Sequence, residues 1–221
     1  MDETAGRTRR RGKELLDAIY AAAVDEVAAV GIGRLTMDGI ARRAATARTT
    51  LYRRWPDPVE LLLDALRELH PLEAPTPGAD DLRGDLITSL RLMVEWGFSP
   101  AGRAVMALLT DPARDPAIVE ALYERVFDSR GGTFTQTVLR HYAERGHLDP
   151  ALLTPVVVDI GEALITKRIL DTGTVDDDYL EAIVDQALLP AVGLGPAAPS
   201  PAEVNRPEKG RPGETRGTLD G

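Results

Sequence analysis

Residues Leu35 to Trp55 read LTMDGIARRAATARTTLYRRW. The spacing predicts two short helices around a tight turn: Thr36 is placed to cap the first, and a second apolar-periodic run begins just past Ala45 and Thr46. Within the second helix Ala47, Leu51 and Trp55 fall at i, i+4 and i+8, which predicts one buried stripe against the first helix. Arg48, Thr49, Tyr52 and Arg53 then make up the opposite face. A short helix with an inward apolar stripe and an outward face of arginine, threonine and tyrosine suits the DNA major groove, where arginine reads guanine and hydroxyls reach phosphates or base edges. Helical hairpins with merely solvated basic faces are also common, and the pattern alone does not separate the two.

The residue identities do. The run T-x-x-x-IA-x-x-A, followed by TLYRRWPD and ELLLDAL, spans Thr36 to Leu66 and resembles the DNA-binding domain of the TetR/AcrR family of bacterial transcriptional regulators. The resemblance implies that Thr36 caps its helix and touches a phosphate. It places Thr46, Arg48, Thr49 and Thr50 at the leading end of the recognition helix, Tyr52 and Arg54 at backbone contacts, and Arg53 at a variable position suited to reading bases. Three positions depart from the family pattern. Ala45 stands where the turn usually has glycine, Thr46 and Ala47 stand for valine and serine, and Pro58 replaces a lysine that commonly meets phosphate. Alanine is strained at positive φ, so the turn is expected either to be tightened differently or to begin one residue later. Thr46 is then the candidate for the capping role of the missing serine.

With 221 residues, 43% hydrophobic and 5% aromatic, the chain is long enough for one small and one larger helical unit. The absence of cysteine excludes disulfides, thiolate metal sites and cysteine nucleophiles. No stretch reaches the roughly 18 apolar residues of a membrane span, so no membrane partner and a cytoplasmic location are expected. A net charge of −9 argues against nucleic acid until its distribution is considered. Residues 1–55 carry eleven Lys/Arg against seven Asp/Glu, a net +4, and the remainder carries −13. An acidic body repelled by DNA favours docking through the basic segment alone.

The opening MDETAGRTRRRG predicts a mobile arm whose Arg9, Arg10 and Arg11 lie along phosphates or enter a minor groove. Leu15, Leu16, Ile19, Ala22, Ala23, Val27 and Val30 predict a helix ended by Gly31 and Gly33. A fourth helix is expected over Val59–His70, and Pro71, Pro75, Pro77 and Gly78 make a stiff connection. Further helices are expected over Asp80–Phe98, from Ser99-Pro100 to Thr110, from Asp115-Pro116 to Arg145 across Gly131-Gly132, from Asp149-Pro150 to Leu170, and over Asp177–Val192. The resulting all-α architecture has an N-terminal three-helix helix-turn-helix domain (1–57), a connecting helix and linker (58–78), a larger helical ligand-binding and dimerisation domain (79–194), and a disordered, dispensable tail (195–221).

His70, His141 and His147 offer no i, i+4 pair, so neither metal nor cofactor is expected, and no constellation calls for an enzyme. Acidic residues 176–178 sit at a helix start and suit its dipole. Most aromatic residues fall between 96 and 142, in the helices that enclose the effector cavity in the family. Met93, Trp96, Met106, Leu109, Tyr123, Phe127 and Phe134 are therefore candidates for an apolar pocket, with His141 or Glu162 as polar anchor. Glu162 and Arg168 either sit at a solvated edge of their apolar helix or project into that cavity. Leu153, Val157, Ile160, Gly161 and Leu164, with Leu180, Ile183, Val184, Ala187 and Leu188, predict a four-helix dimer seam. The resulting expectation is a homodimeric repressor released from a palindromic DNA operator by a small, mainly apolar effector. The alternative is an all-helical small-molecule-binding protein with a vestigial helix-turn-helix.

Overall fold

The computed structural model describes residues 3–195, except 113, 129–131 and 133, with side chains from Gly12 onward. The described residues form helices joined by turns and loops and contain no strand. Helix α1 (Glu3–Val30) incorporates the segment expected to be a mobile arm, so the backbone of Arg9–Arg11 is helical; their side chains lie outside the described residues, as do residues 196–221 of the expected tail. Gly31 ends α1 at φ 77°, a conformation that needs no Cβ, and a 3-10 turn over Ile32–Arg34 leads to α2 (Met37–Arg43). Leu15, expected in the buried stripe of α1, is exposed, whereas Ile19, Ala22, Ala23 and Val27 are buried.

Thr36 caps α2 as expected, its Oγ1 accepting the Gly39 amide at 3.1 Å. The turn to α3 (Arg48–Tyr52) follows neither expected route: Ala45 itself adopts the left-handed conformation at φ 49°. The Thr46 amide donates to Ala41 O at 3.0 Å and the Ala45 amide to Arg42 O at 3.3 Å, the closure usually built on glycine. Thr46 thus closes α2 through its backbone and does not cap α3. The N-cap of α3 is Ala47, which has no capping side chain and is exposed, so the buried stripe reduces to Leu51 and Trp55.

Asp57 caps α4 (Pro58–Leu69), with Pro58 at a first-turn position where its missing N–H costs nothing. Helices α5 (Leu82–Gly97) and α6 (Pro100–Thr110) begin at Asp81 and Ser99, whose side chains accept the Gly84 and Gly102 amides. The expected long helix from residue 116 to 145 is two helices. Helix α7 (Pro116–Leu122) continues through a π-helical turn, Tyr123–Phe127, and α8 (Phe134–Glu144) starts afresh after Gly132 at φ 114°. Asp149-Pro150 opens only a 3-10 turn over Pro150–Leu152; Thr154-Pro155 starts α9 (Pro155–Thr172), which Gly173 ends at φ 73°. The Asp176 side chain accepts the Tyr179 amide, and α10 (Asp177–Ile183) runs on through a π-helical turn, Val184–Leu188, to Ala191.

Two cores hold these elements. One joins α1–α4 to α6 and α7 around Ile19, Ile40, Leu51, Leu61, Leu66, Leu108 and Phe127. The other gathers α5, α8, α9 and α10 around Leu86, Leu90, Leu139, Ile165, Ile183 and Leu188. Helices α2 and α3 therefore share a core with α6 and α7 rather than standing apart. Gly39 permits close packing of α2 on α1, because a Cβ there would lie 2.0 Å from Glu26 Oε1. That glutamate is buried and accepts two bonds from Arg43, at 2.9 and 3.0 Å.

The connection after α4 is strapped to the second core. Asp85 Oδ2 accepts from the Thr76 amide, Thr76 Oγ1 and the Tyr142 hydroxyl at 2.8 to 2.9 Å, and that hydroxyl accepts the Asp81 amide at 3.0 Å. Burial pushes the Tyr142 phenol above its ordinary range, so it stays protonated and able to donate to the carboxylate. Arg145 donates to Pro77 O, and Glu73 accepts the Phe134 amide at 2.7 Å.

Candidate nucleic-acid interface and ligand cleft

Helix α3 is seated by Leu51 and Trp55, which are almost fully buried, with the Trp55 ring edge-on to Tyr20 of α1 and its Nε1 donating to Asp64 of α4 at 2.9 Å. Seating that side turns Arg48, Thr49, Tyr52 and Arg53 to solvent together, with Arg54 also exposed and Thr50 half-buried. Thr36 is exposed at the start of α2, and Thr46 is half-buried in the turn. The candidate DNA residues from Thr36 to Arg54 thus fall on the α2–turn–α3 unit.

One feature of this surface is invisible in the motif. Arg48 Nη1 donates to both carboxylate oxygens of Asp38, at 3.1 and 3.0 Å, and the guanidinium lies 5.4 Å from the Tyr52 ring centroid. Asp38 and Arg48 are ten residues apart and meet only because the turn folds α3 back across α2. DNA contact by Arg48 must therefore exchange this pair or share the guanidinium, whose other donors the carboxylate leaves available.

A cleft of about 840 Å³ lies between α6, the end of α7 and α9. Met106, Leu109, Tyr123, Phe127 and Glu162 line it, with Val158, Ala163 and Leu170 adding apolar wall. Tyr123 is pushed above its ordinary range by burial and by the carboxylates Glu162, Asp159 and Asp128. The remaining pocket candidates lie elsewhere. Trp96 and Phe134 pack with Phe127 around the buried His70 ring, at 4.9 and 5.3 Å from it, forming an aromatic cluster behind the cleft wall. His141 binds Thr76 O at 2.9 Å within the linker strap, and Met93 packs on the second core. Arg168 turns away from the cleft, over the Tyr179 ring at 4.7 Å. No group of three or more potential metal ligands occurs among the described residues.

The expected dimer seam needs correction. Gly161, Leu180, Ile183, Val184 and Leu188 are buried within the chain, so their surfaces are already committed. The close approach at Gly161 is internal: a Cβ there would lie 2.8 Å from Leu90 Cδ2 and 3.1 Å from Thr135. Leu153, Val157, Ile160, Leu164 and Ala187 are half-buried, and Leu153 lines the cleft. The most exposed large apolar residues of α9 are Val156, at 76%, and Leu170, at 68% where it also lines the cleft. With Ile160, Ala163 and Lys167 they recur at heptad-like spacing, a stripe that shares Ala163, Lys167 and Leu170 with the cleft.

A three-helix head presenting a short exposed helix of arginine, threonine and tyrosine, on an all-α body with its own cleft, defines a helix-turn-helix DNA-binding transcriptional regulator. Comparison with known proteins narrows the class. Residues 19–65 match the family model "Bacterial regulatory proteins, tetR family", and residues 76–187 match "Tetracyclin repressor-like, C-terminal domain". An uncharacterized HTH-type transcriptional regulator of Mycobacterium tuberculosis is 30% identical over 163 residues, covering 73% of this chain and 80% of the relative. The DNA-binding transcriptional repressor TetR of Mycobacteroides abscessus is 26% identical, covering 84% of this chain and 97% of its own. Among solved structures, the TetR family transcription regulator SCO0332 superposes with a TM-score of 0.57 at 25% identity, covering 83% of this chain and 100% of that one. A TetR family regulator from Marinobacter aquaeolei VT8 reaches 0.56 at 18% identity, covering 83% and 98%. The chain belongs to the TetR family. No described helix is long and apolar enough to cross a membrane.

Proposed function

We propose that the protein is a homodimeric repressor whose operator complex is released when a small, mainly apolar molecule occupies the cleft between α6, α7 and α9. The observation that carries this reading is a continuous set of contacts from the cleft wall to the recognition helix. Tyr123 and Phe127 line the cleft and flank Arg125 in the π-helical turn. Arg125 donates to Glu60 at 2.6 Å and lies 3.7 Å from Asp64, both on α4. Asp64 also holds Trp55 beneath α3. A π-helical turn is one residue out of step with the helix around it, so a ligand pressing on Tyr123 and Phe127 has a local register to shift. Moving α4 relative to α3 changes the spacing of two heads in a dimer, and a tenfold loss of operator affinity needs only about 1.4 kcal/mol of coupling.

The repressor role is supported by the name of the Mycobacteroides abscessus relative. A dimer is supported by the exposed α9 stripe, and by the few contacts one five-residue helix makes without a second half-site. The test begins with a salt-sensitive gel shift on DNA flanking the protein's own gene. Apolar compounds that raise the melting temperature are then scored for operator release. Arg125→Met is expected to keep compound binding and operator binding while losing release. The absence of any sequence-specific complex would instead favour the small-molecule-binding alternative, and release intact in Arg125→Met would place the coupling elsewhere.

A further inference from the structure

A second groove, of about 460 Å³, lies on the opposite side of α6, where the DNA-binding head meets the body. Its walls come from four helices: Ala21 and Val24 on α1, Leu69 at the end of α4, Leu92 and Trp96 on α5, and Pro100 on α6. Asp25 and Glu95 stand at its edge, both exposed, and neither has an ion-pair partner among the described residues. No lysine, arginine or histidine lines it. The 42% exposure of Leu69 leaves a large apolar side chain without cover at a position where a helix end would ordinarily be polar.

We propose that this groove is a binding site for an amphiphilic organic cation, separate from the effector cleft. An aliphatic wall desolvates the body of such a ligand. The Trp96 indole and the Asp25 and Glu95 carboxylates among its lining attract an ammonium group, which interacts with an aromatic ring through its quadrupole and with a carboxylate through charge. An anion meets two negative charges there and no positive one. A neutral ligand gains only the apolar contact. Because α1 belongs to the head and α4 leads out of it, while α5 belongs to the second core, an occupant braces the head against the body.

The test uses the full-length protein and three probes with one phenylpropyl body: 3-phenylpropylammonium, neutral 3-phenylpropan-1-ol, and the anion 4-phenylbutyrate. Isothermal titration calorimetry is expected to show the ammonium binding about fivefold tighter than the alcohol, the gain that two exposed ion pairs supply, with the carboxylate weakest. Trp96 emission is expected to change with the ammonium. Glu95→Gln should lower ammonium affinity about twofold and leave the alcohol unchanged. Ala21→Leu fills the groove from an exposed position on α1, far from the cleft between α6, α7 and α9, and should abolish binding of both without altering thermal stability. Equal affinity for ammonium and alcohol would overturn the proposal, as would undetectable ammonium binding. Ammonium binding that survives Ala21→Leu would also overturn it by placing the ligand in another site.

Discussion

Replacing Ala45 by glycine should make the protein more stable, although it deletes a methyl group. Ala45 holds φ 49° and is exposed, so its Cβ strains the backbone while contributing no packing. A left-handed conformation costs an L-residue about 1–2 kcal/mol relative to glycine. Glycine gives back about 0.4–1 kcal/mol through the greater freedom of the unfolded chain. The net is a gain of about 0.5–1 kcal/mol, or a rise in melting temperature of about 2 °C for a chain of this size. Thermal unfolding followed by circular dichroism at 222 nm measures it, with urea titration as a second probe. Ala18→Gly, at an exposed mid-helix position of α1, is the control and should cost about 0.5–1 kcal/mol. A destabilised Ala45→Gly, falling in line with Ala18→Gly, would show that Ala45 is not held at positive φ and that the turn closes another way.

Arg48→Ala should cost about 1–3 kcal/mol in operator affinity and relax preference at one base pair, and Asp38→Ala should relax that same base pair while weakening discrimination less; site selection on randomised DNA reads both. Tyr142→Phe removes the hydroxyl that joins Asp85 to the Asp81 amide, and urea unfolding should show a loss of about 1–3 kcal/mol. Val156→Glu together with Leu170→Glu should convert a dimer to monomer in light scattering without loss of helicity, since both side chains are exposed in the subunit; a surviving dimer would move the interface off α9.

Features within one turn of chain were legible in the sequence, because they depend on near neighbours. Thr36, Asp57, Asp81, Ser99, Asp115, Thr154 and Asp176 each accept an amide two or three residues ahead, and the Gly31 and Gly173 stops follow from backbone freedom alone. Asp81 and Thr154 are the exceptions, because Asp80 and Asp149-Pro150 carry nearly the same local signal and spacing alone places the helix starts there. The exposed set on α3 followed from its period once Leu51 and Trp55 were taken as the buried side.

What spacing could not decide was which surface an apolar stripe covers. Leu180, Ile183, Val184 and Leu188 have the periodicity of an interface and of a core alike, and only the packing of α10 on α5 and α9 commits them inward. Trp96 and Phe134 likewise pack in the cluster around His70 rather than in the cleft, and for Phe134 this follows from α8 starting afresh there instead of continuing α7. Ala45 shows the same limit at a single residue. Its sequence gave reason to doubt a left-handed turn, but seating Leu51 and Trp55 in the core requires α3 to reverse across α2 at that point. Burying those two side chains is worth several times the strain of about 1–2 kcal/mol in one alanine, so tertiary packing overrides the local preference.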